Sequence, residues 1–169
     1  YISRIGYASS TDGFNFSRRN NPAIFPTEEY EIYGMEDPRA TQIGDKIFIT
    51  YVVLSDYVKS YPKVFSALAV TKDYTKFKKL GIITKNFHYN KNVTFFPEKF
   101  KLGYNLSNNN NNGYYLILHR PDISTDFQTI RRDIWLSITH SVYTLNNSII
   151  LLKPEQNWEN LKIGTGPSP

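Results

Sequence analysis

Cysteine is absent from this 169-residue chain, which removes disulfides, thiolate metal ligands and cysteine nucleophiles together. Only three His are present, and they are scattered, so no zinc site of ordinary spacing is available. We expect neither a metal nor an organic cofactor. Long apolar runs are missing as well: the longest, Ile47 to Leu54, is broken by Thr50 and is under half the length of a membrane helix. It reads as a strand. No transmembrane segment or signal peptide is visible, so a membrane partner is not expected, and no amphipathic helix longer than two turns stands out. Aromatic residues, by contrast, are plentiful. Thirteen Tyr and eleven Phe within a hydrophobic share of 40% are enough to build a core.

The formal net charge of +5 points towards an anionic partner. Because Lys and Arg are spread along the chain rather than gathered into a stripe, nucleic acid is not expected. The sequence opens on Tyr1 in a strand-like stretch, has Met35 as its only Met, and stops at Gly164-Thr-Gly-Pro-Ser-Pro169. It reads as a piece of a longer protein.

A repeat runs through it. Ala8-Ser-Ser-Thr-Asp12-Gly-Phe-Asn-Phe16 and Ala69-Val-Thr-Lys-Asp73-Tyr-Thr-Lys-Phe77 share a small-x-hydroxyl-x-Asp-x-x-x-aromatic pattern, and Ser137-Ile-Thr-His-Ser141-Val-Tyr-Thr-Leu145 is a degraded third copy. The period is about sixty residues, lengthened before the third copy by the Asn-rich insert Asn105 to Asn112. The periods are filled by strand-like runs at Ile47 to Leu54, Phe65 to Thr71, Tyr114 to His119, Ile134 to Thr139 and Ser148 to Leu152. All-β units of this length fit four-stranded propeller blades. Residues 1–169 then form one partial β-propeller domain of about three blades. Asp12 and Asp73 are read as turn residues that cap their own backbone, not as catalytic groups.

Four polar clusters sit at strand edges: Gly34-Met-Glu36-Asp37-Pro38-Arg39 before a strand beginning at Ala40, Lys91-Asn92, His119-Arg120-Pro121, and Lys162-Ile-Gly164-Thr-Gly166. Pro38 restricts Asp37 to extended backbone, which points Glu36 and Asp37 in different directions, one towards a cavity and the other towards Arg39 or the backbone. A turn with a salt bridge is the alternative. A carboxylic acid ringed by cations suits general acid catalysis beside an anionic nucleophile or leaving group.

In this order, Glu36-Asp-Pro-Arg39, Phe96-Pro-Glu-Lys99, His119-Arg-Pro121, Ile134-Trp-Leu136 and Trp158-Glu-Asn-Leu-Lys-Ile-Gly-Thr-Gly166 resemble the β-1,4-mannoside phosphorylases of glycoside hydrolase family 130 over essentially the whole chain. The resemblance implies a five-bladed β-propeller, of which this chain covers roughly half. It implies inverting phosphorolysis of β-1,4-mannosides to α-mannose 1-phosphate and a shortened sugar, with inorganic phosphate as co-substrate. Asp37 would be the proton donor, acting through a substrate hydroxyl, and Lys91, Asn92, Arg120 and Lys162 would bind phosphate. Glu36, Arg39 and His119 would contact substrate or support those that do, His119 being equally readable as a core residue. Phosphate arrives anionic and needs cations, whereas an inverting hydrolase needs a second carboxylate to activate water. The chain departs from the family at Lys91-Asn92, where many members have Arg-Asn or Lys-Asp, and at Ser168, where a second consecutive proline is usual. A β-mannoside hydrolase of the same family, an inactive carbohydrate-binding propeller and a structural fragment are the alternatives. The expected partners are a β-mannoside oligosaccharide, phosphate and another copy of the chain, and the expected location is the cytoplasm, where a sugar phosphate can be used.

Overall fold

The computed structural model describes residues 2–58, 61–85, 89–101, 113–122, 132–160 and 162–169; the Asn-rich insert lies outside them. A two-stranded ribbon, β1 (Ala8–Ser9) with β2 (Ser17–Arg18), precedes two four-stranded sheets. The first sheet contains β3 (Met35–Ile43), β4 (Lys46–Val58), β5 (Tyr61–Thr71) and β6 (Lys78–Ile82). The second contains β7 (Asn90–Phe100), β8 (Tyr114–Pro121), β9 (Ile134–Thr139) and β10 (Ser148–Leu152). In each, sequential strands pair antiparallel, the arrangement of a propeller blade. The only helical turns among the described residues are two of 3₁₀ type, Glu29–Glu31 and Asn157–Glu159.

The apolar run of β4 reflects burial on both faces. Ile47, Ile49, Tyr51 and Val53 pack with Ile5, Ile24, Met35 and Ala67 on one side. Phe48 joins Leu68, Val93, Phe95 and Ile117 between the two sheets, its ring stacked 5.8 Å from that of Phe95. A strand buried on both faces loses the alternation that would otherwise mark it.

The sequence repeat corresponds to one recurring turn. Ser10 Oγ accepts the N–H groups of Asp12 and Gly13, and Asp12 Oδ1 accepts those of Phe14 and Asn15. Thr71 Oγ1 and Asp73 Oδ1 do the same for Tyr74 and Thr75, and Thr139 Oγ1 and Ser141 Oγ for Ser141 and Tyr143. These turns join β1 to β2, β5 to β6 and β9 to β10, so the repeat marks the last hairpin of each unit. The backbone N–H groups of Phe14 and Asn15 are the main reason the Asp12 carboxyl lies well below the usual carboxylate range.

Strand β7 packs against the first sheet through hydroxyl groups. Thr41 and Thr50 donate to the carbonyls of Phe95 and Val93, and Ser66 donates to that of Asn90, which points away from β8. From the other direction Thr165 donates to the Asn92 carbonyl and Ser168 to that of Phe95.

A second recurrence links the 3₁₀ turns. Glu31 Oε2 accepts the N–H groups of Thr27 and Glu28, and Glu159 Oε2 accepts those of Glu155 and Gln156. Each turn leads into a segment carrying site residues, β3 in one case and Lys162 to Gly166 in the other. Glu31 is fully buried, where it pairs with Lys79 Nζ at 2.5 Å and accepts the Tyr51 hydroxyl at 3.1 Å. Burial pushes its carboxyl up, but Lys79 and the two backbone N–H groups outweigh this and hold it below the usual value. Lys79→Met would leave this carboxylate buried without its counter-ion. We expect a loss of about 3 kcal/mol in denaturant unfolding of the whole protein. An unchanged midpoint would show that Glu31 is held by its backbone partners alone.

Candidate functional site

Two bulges create the site. The β3 to β4 register slips between Glu36 and Arg39, and the β7 to β8 register slips between Lys91 and Thr94. Within these slips Asp37 has φ 51 and Asn92 φ 58, the left-handed region that non-glycine residues rarely occupy. Asp37 is therefore not extended, as Pro38 led us to expect, and the strand starts at Met35 rather than Ala40. The bulge overrides the proline preference by turning the Asp37 side chain out of the pleat, where it is exposed. Side chains held on such strained backbone cluster at functional positions.

Arg39 sits half-buried beyond the bulge, donating from Nη1 to the Asp37 carbonyl at 3.2 Å and from Nε to the Gly166 carbonyl at 3.1 Å. The first cluster is thereby tied to the last. Burial lowers the Arg39 pKa, and the nearby Asp37 carboxylate partly restores it. Glu36 lies before the slip, opposite Val52, and is half-buried.

Asn92, Arg120 and Gly164 converge. A Cβ on Gly164 would lie 3.1 Å from Arg120 Nη1 and 3.6 Å from Asn92 Nδ2, so the backbone there approaches both donors closely and a larger residue would press on the Arg120 guanidinium. Lys91 lies directly opposite Arg120 across the β7 to β8 ladder. Arg120 is 8% exposed, and its Nε has no hydrogen-bond partner among the described residues. Its pKa is lowered chiefly by burial, with Arg132 and Arg39 pushing it the same way against the opposing Tyr89 and Asp122. Lys162 is exposed and, with Gly164, lines a cleft of about 700 Å³ walled by Ile134, Leu152 and Trp158.

His119 points away from this group. On β8 it faces the opposite side from Arg120 and is fully buried, with Nδ1 2.9 Å from Asn90 Nδ2 and Nε2 3.1 Å from Ser148 Oγ. Burial pushes its pKa down to about 4. Residues not singled out from sequence also belong here: Thr165, which anchors the Asn92 backbone, and Tyr89, Asp122 and Arg132 beside Lys91 and Arg120. Thr165 follows Glu159 at the same offset as Asp37 follows Glu31, a register visible only once the 3₁₀ turns are aligned.

Because the folded pKa of His119 is below that of a free imidazole, the unfolded chain binds the extra proton between pH 6.5 and 4. The neutral ring's contribution is complete above pH 6.5 and is lost as the pH falls towards 4. We expect the apparent Tm of the wild-type protein to drop across this window more steeply than that of His119→Gln, with a difference on the order of 3 kcal/mol. Parallel pH profiles would show that His119 does not titrate in this way.

The model of the family described as beta-1,4-mannooligosaccharide phosphorylase matches residues 1–169. The 1,2-beta-oligomannan phosphorylase of Thermoanaerobacter sp. (strain X514) is 31% identical over 100% of this chain and 49% of that protein. The beta-1,2-mannobiose phosphorylase of Listeria innocua serovar 6a is 31% identical over 99% of this chain and 42% of that one. The solved complex of the beta-1,2-mannobiose phosphorylase from Listeria innocua with beta-1,2-mannobiose superposes with a TM-score of 0.77 at 30% identity, covering 96% of this chain and 40% of that chain. A glycosyl hydrolase from Bacteroides ovatus, with a TM-score of 0.61 at 20% identity, shares the fold. The chain thus spans about half the length of the curated relatives it matches. The all-β, propeller-type architecture read from the sequence holds, and the two described sheets do not close a ring. With a family match that covers every residue, the chain belongs to glycoside hydrolase family 130, the family of mannoside phosphorylases.

Proposed function

We propose that the protein catalyses inverting phosphorolysis of β-mannosides. The observation that carries this reading is the approach of the Gly164 backbone to Arg120 and Asn92, with Arg120 buried and incompletely partnered. A buried guanidinium with neighbouring cations and an open Nε favours an anion that accepts several hydrogen bonds at once. Phosphate fits that chemistry. Asn92 and Arg120 form its inner contacts, and Lys91 and Lys162 supply charge from the ladder and the cleft wall.

In the reaction, a phosphate oxygen attacks the anomeric carbon from one face while the bond from that carbon to the glycosidic oxygen breaks on the other. Asp37, exposed on its bulge, gives up its proton through a sugar hydroxyl, and the proton finishes on the departing oxygen. The products are α-mannose 1-phosphate and the shortened sugar. Arg39 holds the bulge against Gly166, which keeps the acid and the phosphate contacts in register. The requirement for phosphate distinguishes this reading from hydrolysis and from mere sugar binding. The β-1,4 linkage expected from the sequence agrees with the family description, whereas the relatives at 27–31% identity are named for β-1,2 linkages. β-1,2-Mannobiose is therefore the first substrate to offer, and β-1,4-mannobiose the second.

Release of mannose 1-phosphate by the whole protein is expected with one of these disaccharides, only when phosphate is present, and to fall by 10³-fold or more in Asp37→Asn, on the order of general acid effects. Turnover without phosphate would make the protein a hydrolase. Binding of the disaccharide without turnover would make it a carbohydrate-binding propeller. Gly164→Ala pushes a Cβ towards Arg120 Nη1. It is expected to raise the phosphate KM roughly tenfold, about 1.4 kcal/mol, with little change in the mannoside KM, and an unaltered phosphate KM would remove Arg120 from the phosphate site.

A further inference from the structure

The β7 to β8 ladder continues one step beyond its last paired residues, because Asp122 N–H donates to the Tyr89 carbonyl at 2.9 Å. With Lys91 opposite Arg120 and Asn90 opposite Pro121, this sets Tyr89 opposite Asp122. Strand alternation then divides the residues into two sets. Asn90 and His119 lie on one face, bonded to each other. Tyr89, Lys91, Arg120 and Asp122 share the other, and the Asn92 bulge turns its amide towards Arg120.

Arg132, which leads into β9, docks onto this second face. Its Nε and Nη2 both donate to Asp122 Oδ2 at 3.3 Å, and its guanidinium lies 5.8 Å from the centre of the Tyr89 ring. Lys91 Nζ lies at the same distance from that ring. The Arg132 carbonyl accepts the Ile163 N–H at 3.3 Å, so the residue also anchors the segment carrying Lys162 and Gly164. Among the described residues, the charged groups brought together on this face are three cations, Lys91, Arg120 and Arg132, and the carboxylate of Asp122. Asp122 orients Arg132 from one edge of its fork, and among the described residues Nη1 carries no bond. An excess of two positive charges around a half-buried ring is costly unless an anion completes it.

We propose that Arg132, positioned by Asp122 and the Tyr89 ring, is a further phosphate-binding residue of this site. The inference rests on the phosphorolysis reading for the identity of the anion, and it adds a residue for which the sequence motifs gave no role. A guanidinium held edge-on by a carboxylate keeps its remaining N–H groups in one plane. It therefore presents a fixed donor pair to a second anion where a Lys would present a mobile point charge. Arg132 is expected to act on the phosphate term alone, since its contacts among the described residues, with Asp122, the Tyr89 ring and the Ile163 N–H, do not include Asp37.

The test measures inorganic phosphate binding to the whole protein by calorimetry, together with steady-state kinetics that vary phosphate and mannoside separately. Arg132→Gln is expected to weaken phosphate binding and raise the phosphate KM at least tenfold, while the mannoside KM stays within twofold. Arg132→Lys should recover part of the loss, and millimolar guanidinium should partly rescue Arg132→Gln, an effect that a purely structural role would not produce. Phosphate affinity within twofold of wild type in a folded Arg132→Gln protein would overturn the proposal, as would a wild-type protein that binds no phosphate. If the wild type binds phosphate and Arg132→Gln weakens that binding, but no mannoside is turned over, the phosphorolysis reading fails and the anion site stands.

Discussion

The site depends on side-chain hydroxyls that hold the carbonyls of a single strand. β7 makes a ladder with β8 on one side only, yet five hydroxyl groups from outside its own sheet reach its backbone: Thr41, Thr50 and Ser66 from the first sheet, and Thr165 and Ser168 from the C-terminal segment. A buried carbonyl without a partner costs more than a hydrogen bond returns. These contacts therefore fix the spacing of the two sheets and bring the Gly164 segment against Asn92. The bulge at Asn92 follows from the same arrangement, since the Asn92 carbonyl is held by Thr165 while its side chain faces Arg120.

Electrostatics sets the opposing constraint. Arg39, Arg120 and Arg132 lie close enough for each of the outer two to disfavour the charge on Arg120, whose burial already does so. A fold that only maximised stability would replace such a cluster with apolar residues, as buried ion pairs are often replaceable without loss. The Glu31 and Lys79 pair shows the contrast: there the carboxylate has its counter-ion, two backbone donors and the Tyr51 hydroxyl, and its charge is satisfied within the chain. Among the described residues the charge on Arg120 is not satisfied in this way, and the proposed phosphate site rests on that contrast.

Much of this arrangement was legible in the sequence. Alternation and β-branching located five of the strands, and the hydroxyl-x-Asp pattern located the outer hairpins. Strands β3, β6 and β7 were harder to see because each carries polar or site residues where a simple strand would carry alternation, and all three are bulged. The left-handed backbone at Asp37 could not be read, since the residue before a proline ordinarily avoids that region and only the slipped register explains it. Thr50, an interruption in the apolar run of β4, is the one local sign of the hydroxyl contacts. Tyr89, Asp122 and Arg132 belong to none of the motifs, and it is the continued β7 to β8 ladder that sets Tyr89 opposite Asp122 and the Asp122 carboxylate that brings in Arg132. The recurrence of the Glu31 and Glu159 turns was missed because their flanking residues differ, Tyr30 being half-buried and Trp158 exposed.

The recurring hydroxyl-and-Asp turn also bears on how the molecule comes together. Its hydrogen bonds close over two or three residues, whereas the hydroxyl contacts on β7 span 24 to 73. Chain-closure entropy makes the turns cheap to form and the β7 contacts dear. Each outer hairpin is thus specified by its own few residues and tolerates change in its neighbours, as the Ser141 copy does. The proposed phosphate contact at Asn92 depends instead on one of the longest of these closures, to Thr165. A substitution that removes a hydroxyl from one of the β7 contacts therefore acts at a distance, on the placement of the Asn92 bulge, whereas one in an outer hairpin stays local to its own turn.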